Sequence, residues 1–167
     1  MNDGNIVRLS ESFHAEAVQR TQTLAFRHTK LGSPLIESVL IVDDEPMART
    51  LLRLMLVRAG YDVSEAEDGY QALVKMRRQQ PDIVILDVMM PGMDGFTVCE
   101  NMRADEQLSR VPVIMLSAKT DVQSKRRGLE VGAAKYLTKP ISPDDLTHHV
   151  RDVLRHTRKD DSDSPSE

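Results

Sequence analysis

Between residues 37 and 157 short apolar runs alternate with longer stretches in which apolar residues recur every three or four positions. Val39-Leu40-Ile41-Val42 and Ile83-Val84-Ile85-Leu86 are unbroken apolar runs, too short for helices and lacking the polar alternation of a half-exposed strand. Such runs suit strands covered on both faces. Val111-Pro112-Val113-Ile114-Met115-Leu116 is similar, with its proline at the entry, where a missing N–H is tolerated. Tyr61–Ala66 reads as a weaker strand and Lys135-Tyr136-Leu137-Thr138 as a short one.

The intervening stretches carry helical periodicity. Pro46 suits a first helical turn, and Leu51, Leu52, Met55, Leu56 and Ala59 form an apolar stripe ended by Gly60. A second helix is predicted from about Gly69 to Gln79, with Ala72, Leu73 and Met76 on one face and Pro81 barring its continuation. A third carries Phe96, Val98, Cys99 and Met102; a fourth spans about Val122 to Val131 and stops at Gly132. The last starts near Pro143 and uses Val150, Val153 and Leu154.

Strands alternating with helices imply an α/β protein: a doubly wound (βα)5 flavodoxin-like sandwich with parallel sheet order 2-1-3-4-5. Two flanks lie outside this pattern. Residues 1–36, with Ile6, Leu9, Phe13, Val18, Leu24, Phe26 and Leu31, read as an N-terminal helical extension closed by Gly32-Ser33-Pro34. Residues 158–167 are charged and serine-rich and read as a disordered acidic tail.

Composition narrows the function. A net charge of −4 gives no electrostatic reason to expect nucleic acid, so no direct DNA binding is expected. No apolar run is long enough for membrane insertion, and Met1–Asn5 lacks the features of a secretory leader, so a cytoplasmic location is expected. Cys99 is the single cysteine and reads as a small buried hydrophobe.

In such sheets the site lies beyond the carboxyl ends of the strands. Asp43 and Asp44 follow the first strand, Asp87 the third, Ser117 the fourth and Lys139 the fifth. Any one aspartate there could simply cap a helix or shape a turn. Together, three crowded carboxylates repel one another unless something positive intervenes. A hard cation held by few oxygens, with retained waters, is the habit of Mg2+. Lys139 adds a fixed positive charge, Asp87 could serve as a carboxylate nucleophile, and Ser117 offers a hydroxyl to a phosphoryl oxygen.

Four segments then resemble the signatures of response-regulator receiver domains. They are Val42-Asp43-Asp44-Glu45-Pro46, the stretch from Ile85-Leu86-Asp87 to Asp94-Gly95, Met115-Leu116-Ser117-Ala118, and Tyr136-Leu137-Thr138-Lys139-Pro140. The resemblance covers residues 37–157. It implies phosphorylation of Asp87 by a histidine kinase or phosphotransfer protein, with Mg2+ as cofactor. Asp44, Asp87 and the Met89 backbone carbonyl would bind the metal directly, and Asp43 through a water. Lys139 would pair with the carboxylate and then the phosphate, its bond to Pro140 being cis. Ser117 and Tyr136 would form the switch, and Met89 and Lys119 would tune phosphate lifetime. The fourth helix, fifth strand and fifth helix would present the face met by a downstream protein.

Ala134 and Lys135 stand where winged-helix relatives carry acidic residues of a dimer interface, which argues against that mode of pairing; a homodimer through residues 1–36 is the alternative expected. Ile141 replaces an aromatic often found after Lys-Pro. His28, before Thr29-Lys30-Leu31-Gly32-Ser33-Pro34, only faintly resembles a kinase phosphorylation box. The expectation is a stand-alone receiver that catalyses only its own phosphorylation and dephosphorylation. The alternatives are a degenerate binding scaffold, which would lack site residues, and an aspartate-nucleophile phosphohydrolase, whose second acid would sit two places after the first, where Glu45 stands.

Overall fold

Each apolar run becomes a strand in the computed structural model, which describes residues 36–162. The elements are β1 (Ser38–Val42), α1 (Pro46–Arg58), β2 (Asp62–Ala66), α2 (Gly69–Gln79) and β3 (Ile83–Leu86), then α3 (Gly95–Ala104), β4 (Val113–Ser117), α4 (Val122–Glu130), β5 (Lys135–Thr138) and α5 (Pro143–Ser162). The strands pair in parallel in the order β2-β1-β3-β4-β5. The strands built on unbroken apolar runs, β1, β3 and β4, are the inner strands and are almost wholly buried. The two weaker runs are the sheet edges, β2 and β5, which stay partly exposed.

Side chains alternate across the sheet and split the core in two. Leu40, Val42, Val84, Leu86, Val113 and Met115 point to one face, packed with Ala72 and Met76 of α2 and Phe96, Val98, Cys99 and Met102 of α3. Val39, Ile41, Ile83, Ile85, Ile114 and Leu116 point to the other, beneath Leu52 and Leu56 of α1 and Leu146, Val150, Val153 and Leu154 of α5. Asp68, Asp94 and Asp121 each accept a backbone N–H from the first turn of the helix they precede. Gly132 closes α4 with φ +97°, a backbone state costly for any residue with a Cβ.

Two expectations need correction. Leu51 does not join the buried stripe of α1; it is 55% exposed, because α1 presents only the Leu52–Leu56 ridge to the sheet. The stretch 158–167 is not disordered from its start, since α5 continues to Ser162. No helix-breaking residue intervenes before Pro165. The expectations for residues 1–35, including the helical extension, its dimer and His28, lie outside the described residues, as do residues 163–167. Among the described residues no helix is long and apolar enough to cross a membrane.

Candidate functional site

Strand order decides which carboxylates meet. The chain reverses direction across the sheet between β1 and β3, the switch point where such folds open a crevice. Val42 lies in register with Leu86, so the residues that follow them, Asp43 and Asp87, emerge side by side. The Asp87 N–H donates to the Val42 carbonyl at 2.8 Å, carrying the pairing one step past the strand end. Asp44 completes the group, and ligand oxygens of all three aspartates lie within 4.8 Å of one another. Asp43 is 1% and Asp87 7% exposed, whereas Asp44 faces solvent.

Lys139 comes from the loop after β5 to sit over this cluster. Its Nζ donates to Asp43 Oδ2 at 2.5 Å and lies 3.4 Å from Asp87 Oδ1. The Lys139–Pro140 peptide is cis, as the resemblance implied. Both Asp43 oxygens are therefore engaged: its Oδ1 accepts the Glu45 N–H at 2.9 Å while its Oδ2 takes the ammonium. Asp87 carries no such second bond to a described residue and turns its carboxylate to the crevice. This donor set of three oxygens, without a histidine or thiolate, fits a hard divalent cation such as Mg2+.

Burial raises the Asp87 carboxyl to about 6, with the neighbouring charges of Asp43 and Asp44 adding to the effect and Lys139 opposing it. Burial pulls the Lys139 ammonium the other way, but its bonds to Asp43 and the charge of Asp87 outweigh this and leave it raised. A metal-free site of this kind is over-supplied with negative charge at neutral pH.

Ser117, fully buried at the end of β4, accepts the Lys119 N–H on its Oγ at 3.2 Å. The Lys119 carbonyl in turn accepts the Tyr136 hydroxyl at 3.1 Å. One residue, Lys119, thus joins the two residues read as a switch through its N–H and its carbonyl. Tyr136 packs on Gly128 of α4, where an added Cβ would meet the ring at 2.5 Å. Gly95 is equally confined, since a Cβ there would meet the Asp87 carbonyl oxygen at 2.3 Å. The side chain of Met89 is 54% exposed on the loop following Asp87.

Two contacts were not anticipated from the sequence, one beside the site and one at the opposite edge of the sheet. Arg49 of α1 donates to the Asp43 carbonyl at 2.7 Å and holds the β1–α1 turn. Arg103 of α3 donates to the carbonyls of Ser109 and Val111, both at 2.9 Å, and to that of Gly132 at 2.8 Å, tying the approach to β4 to the end of α4. Both arginines bond backbone carbonyls, which leave no mark in residue identity.

A family profile described as response regulator receiver domain matches residues 39–151. A probable transcriptional regulator, ycf27, of Guillardia theta is 49% identical over 123 residues, covering 74% of this chain and 47% of that protein. The chain spans about half the length of the curated relatives it matches. Among solved structures, a putative response regulator from Chloroflexus aurantiacus is 38% identical with TM-score 0.70, covering 72% of this chain and 98% of that one. The Vibrio cholerae chemotaxis protein CheY4 is 36% identical with TM-score 0.68, over 71% of this chain and 98% of that one.

Proposed function

The chain belongs to the response-regulator receiver family, and we propose that within it Asp87 is the phosphoryl acceptor. The observation that carries this reading is the Lys139 ammonium spanning Asp43 and Asp87, beside Asp44, at the crevice of the sheet. Membership implies a histidine kinase or phosphotransfer protein as the donor partner.

Asp44, Asp87 and the Met89 carbonyl would hold Mg2+, with Asp43 reaching it through a water. When bound, the ion supplies positive charge to the carboxylates and to the incoming phosphoryl oxygens. An Asp87 carboxylate oxygen attacks the phosphorus of a phosphohistidine; the O–P bond forms as the N–P bond breaks, and the imidazole leaves with the electron pair. Asp43, with both oxygens already bonded, anchors Lys139 rather than reacting. The ammonium, 3.4 Å from Asp87, is close enough to transfer its bond to a phosphoryl oxygen.

Ser117 then donates its hydroxyl to the phosphate. Because its Oγ also holds the Lys119 N–H, any movement of Ser117 pulls on the residue whose carbonyl anchors Tyr136. Tyr136 turns inward and the face of α4, β5 and α5 changes for a downstream protein target. No external substrate is turned over. The match to relatives named as transcriptional regulators supports gene control as the class of output.

Acetyl phosphate with Mg2+ should add the mass of one phosphoryl group to the intact protein, and Asp87→Asn should show none. An adduct surviving in Asp87→Asn, or no adduct on the unaltered chain, rejects the proposal. Steady hydrolysis of a phosphomonoester would instead favour a phosphohydrolase.

A further inference from the structure

The C-terminal half of α5 carries Arg151, Arg155 and Arg158 at spacings of four and three, which place them on one stripe of the helix. With Glu37, just before β1, they line a cavity of about 310 Å³. Every lining side chain is charged, and cations outnumber the single acid. Glu37 bonds Arg158 at 2.6 Å, and the Arg151 guanidinium lies close enough to the Tyr61 hydroxyl to oppose the rise that burial gives its pKa. Arg155 makes no hydrogen bond or ion pair with any described residue. Like charges at these spacings weaken a helix. On a chain of net charge −4 this patch reverses the sign locally.

Arg151 also lines an adjoining cavity of about 450 Å³ between α1 and α5. Met55, Ala59 and Pro143 give that cavity an apolar wall, Arg58 adds a further cation, and Asp144 adds one acid at its rim. A charged chamber and a partly apolar one therefore share one arginine. Neither contains a residue of the acidic rim at Asp43, Asp44 and Asp87.

We propose that this face binds a small organic diphosphate of the nucleoside diphosphate class, a second site apart from phosphoryl transfer. The guanidinium fork matches two phosphate oxygens at once, which an ammonium cannot do. Arg155 is the unengaged fork, and Arg151 lines both cavities. The diphosphate occupies the arginine chamber and the ring system lies against Met55 and Pro143. The volumes fall in the range of small-ligand sites.

The test is a titration of the full chain in metal-free buffer, followed by amide NMR, with ADP and with inorganic pyrophosphate as the phosphate-only control. ADP should saturate with Kd below about 1 mM, shifting amides around Glu37, Tyr61 and residues 147–158, and pyrophosphate should bind more weakly. Arg155→Gln should lower ADP affinity roughly tenfold. It should not impair folding, because Arg155 has no partner to lose among the described residues. Glu37→Gln should tighten binding by removing the competing carboxylate. Any of four results overturns the proposal: no saturation, unchanged affinity in Arg155→Gln, pyrophosphate binding as tightly as ADP, or shifts confined to the loops bearing Asp44 and Asp87.

Discussion

Lys139 makes its closest bond to Asp43, at 2.5 Å, and not to Asp87, which it approaches at 3.4 Å. The fixed cation is thus anchored on the more deeply buried carboxylate and leans toward the one proposed to react. Removing it strands two buried negative charges. Lys139→Met should lower metal-free stability at about pH 7.5 by roughly 2–4 kcal/mol. Because Asp87 loses the charge that opposes its rise, the deficit should shrink at about pH 4.5 as carboxyls protonate. Urea unfolding at both pH values measures this, and an equal deficit at both would show that Lys139 acts through packing alone.

Asp87 itself should penalise the metal-free fold. Its folded value of about 6 lies above the ordinary 3.8, so between these the folded form binds more protons than the unfolded chain. Stability contributed by this group is therefore present at low pH, falls as pH rises through that window, and stays low above it. Asp87→Asn should raise metal-free stability by about 2–3 kcal/mol at neutral pH, with the gain vanishing below about pH 4. Saturating Mg2+ should stabilise the unaltered chain more than the variant. A constant difference between the two proteins across pH would refute this account.

The inner strands were legible because burial on both faces leaves no polar residue in the run, as in Val39–Val42 and Ile83–Leu86. The convergence of Asp43, Asp44, Asp87, Ser117 and Lys139 at one rim followed from strand order. What could not be read was how the charges share partners: whether Lys139 prefers Asp43 or Asp87 depends on approach directions fixed only by the packed sheet. Leu51 misled for a related reason. A helix on a sheet buries a narrow ridge, and periodicity alone does not say which neighbouring apolar residue falls outside it.

Gly128 should report on Tyr136. A methyl group at that position meets the ring at 2.5 Å and the Met115 sulfur at 3.0 Å, so the ring must move. Gly128→Ala should cost about 1–3 kcal/mol and break the Tyr136–Lys119 bond while leaving phosphorylation of Asp87 intact. The chain has three tyrosines and no tryptophan, so tyrosine emission compared in a Tyr61→Phe, Tyr70→Phe background reads the displacement. An unchanged spectrum would mean that the helix, not the ring, gives way.

Arg103 should prove a structural rivet. Its guanidinium holds the carbonyls of Ser109, Val111 and Gly132, and Arg103→Met keeps the stem but leaves those acceptors without their donor. The expected loss is about 2 kcal/mol. Amide exchange should quicken at Ala133 and Ala134 and stay unchanged in β1. Uniform quickening across the sheet would place the arginine's contribution elsewhere.

The bond from Lys139 to Asp43 spans 96 positions, which gives the chain an order of assembly during synthesis. Synthesis delivers Asp43 and Asp87 before Lys139, so a chain made only that far presents the carboxylates without this ammonium. On the proposed role of Asp87, competence to react would arrive only with β5 and the loop behind it, so the path of the backbone would itself delay labelling of an unfinished molecule.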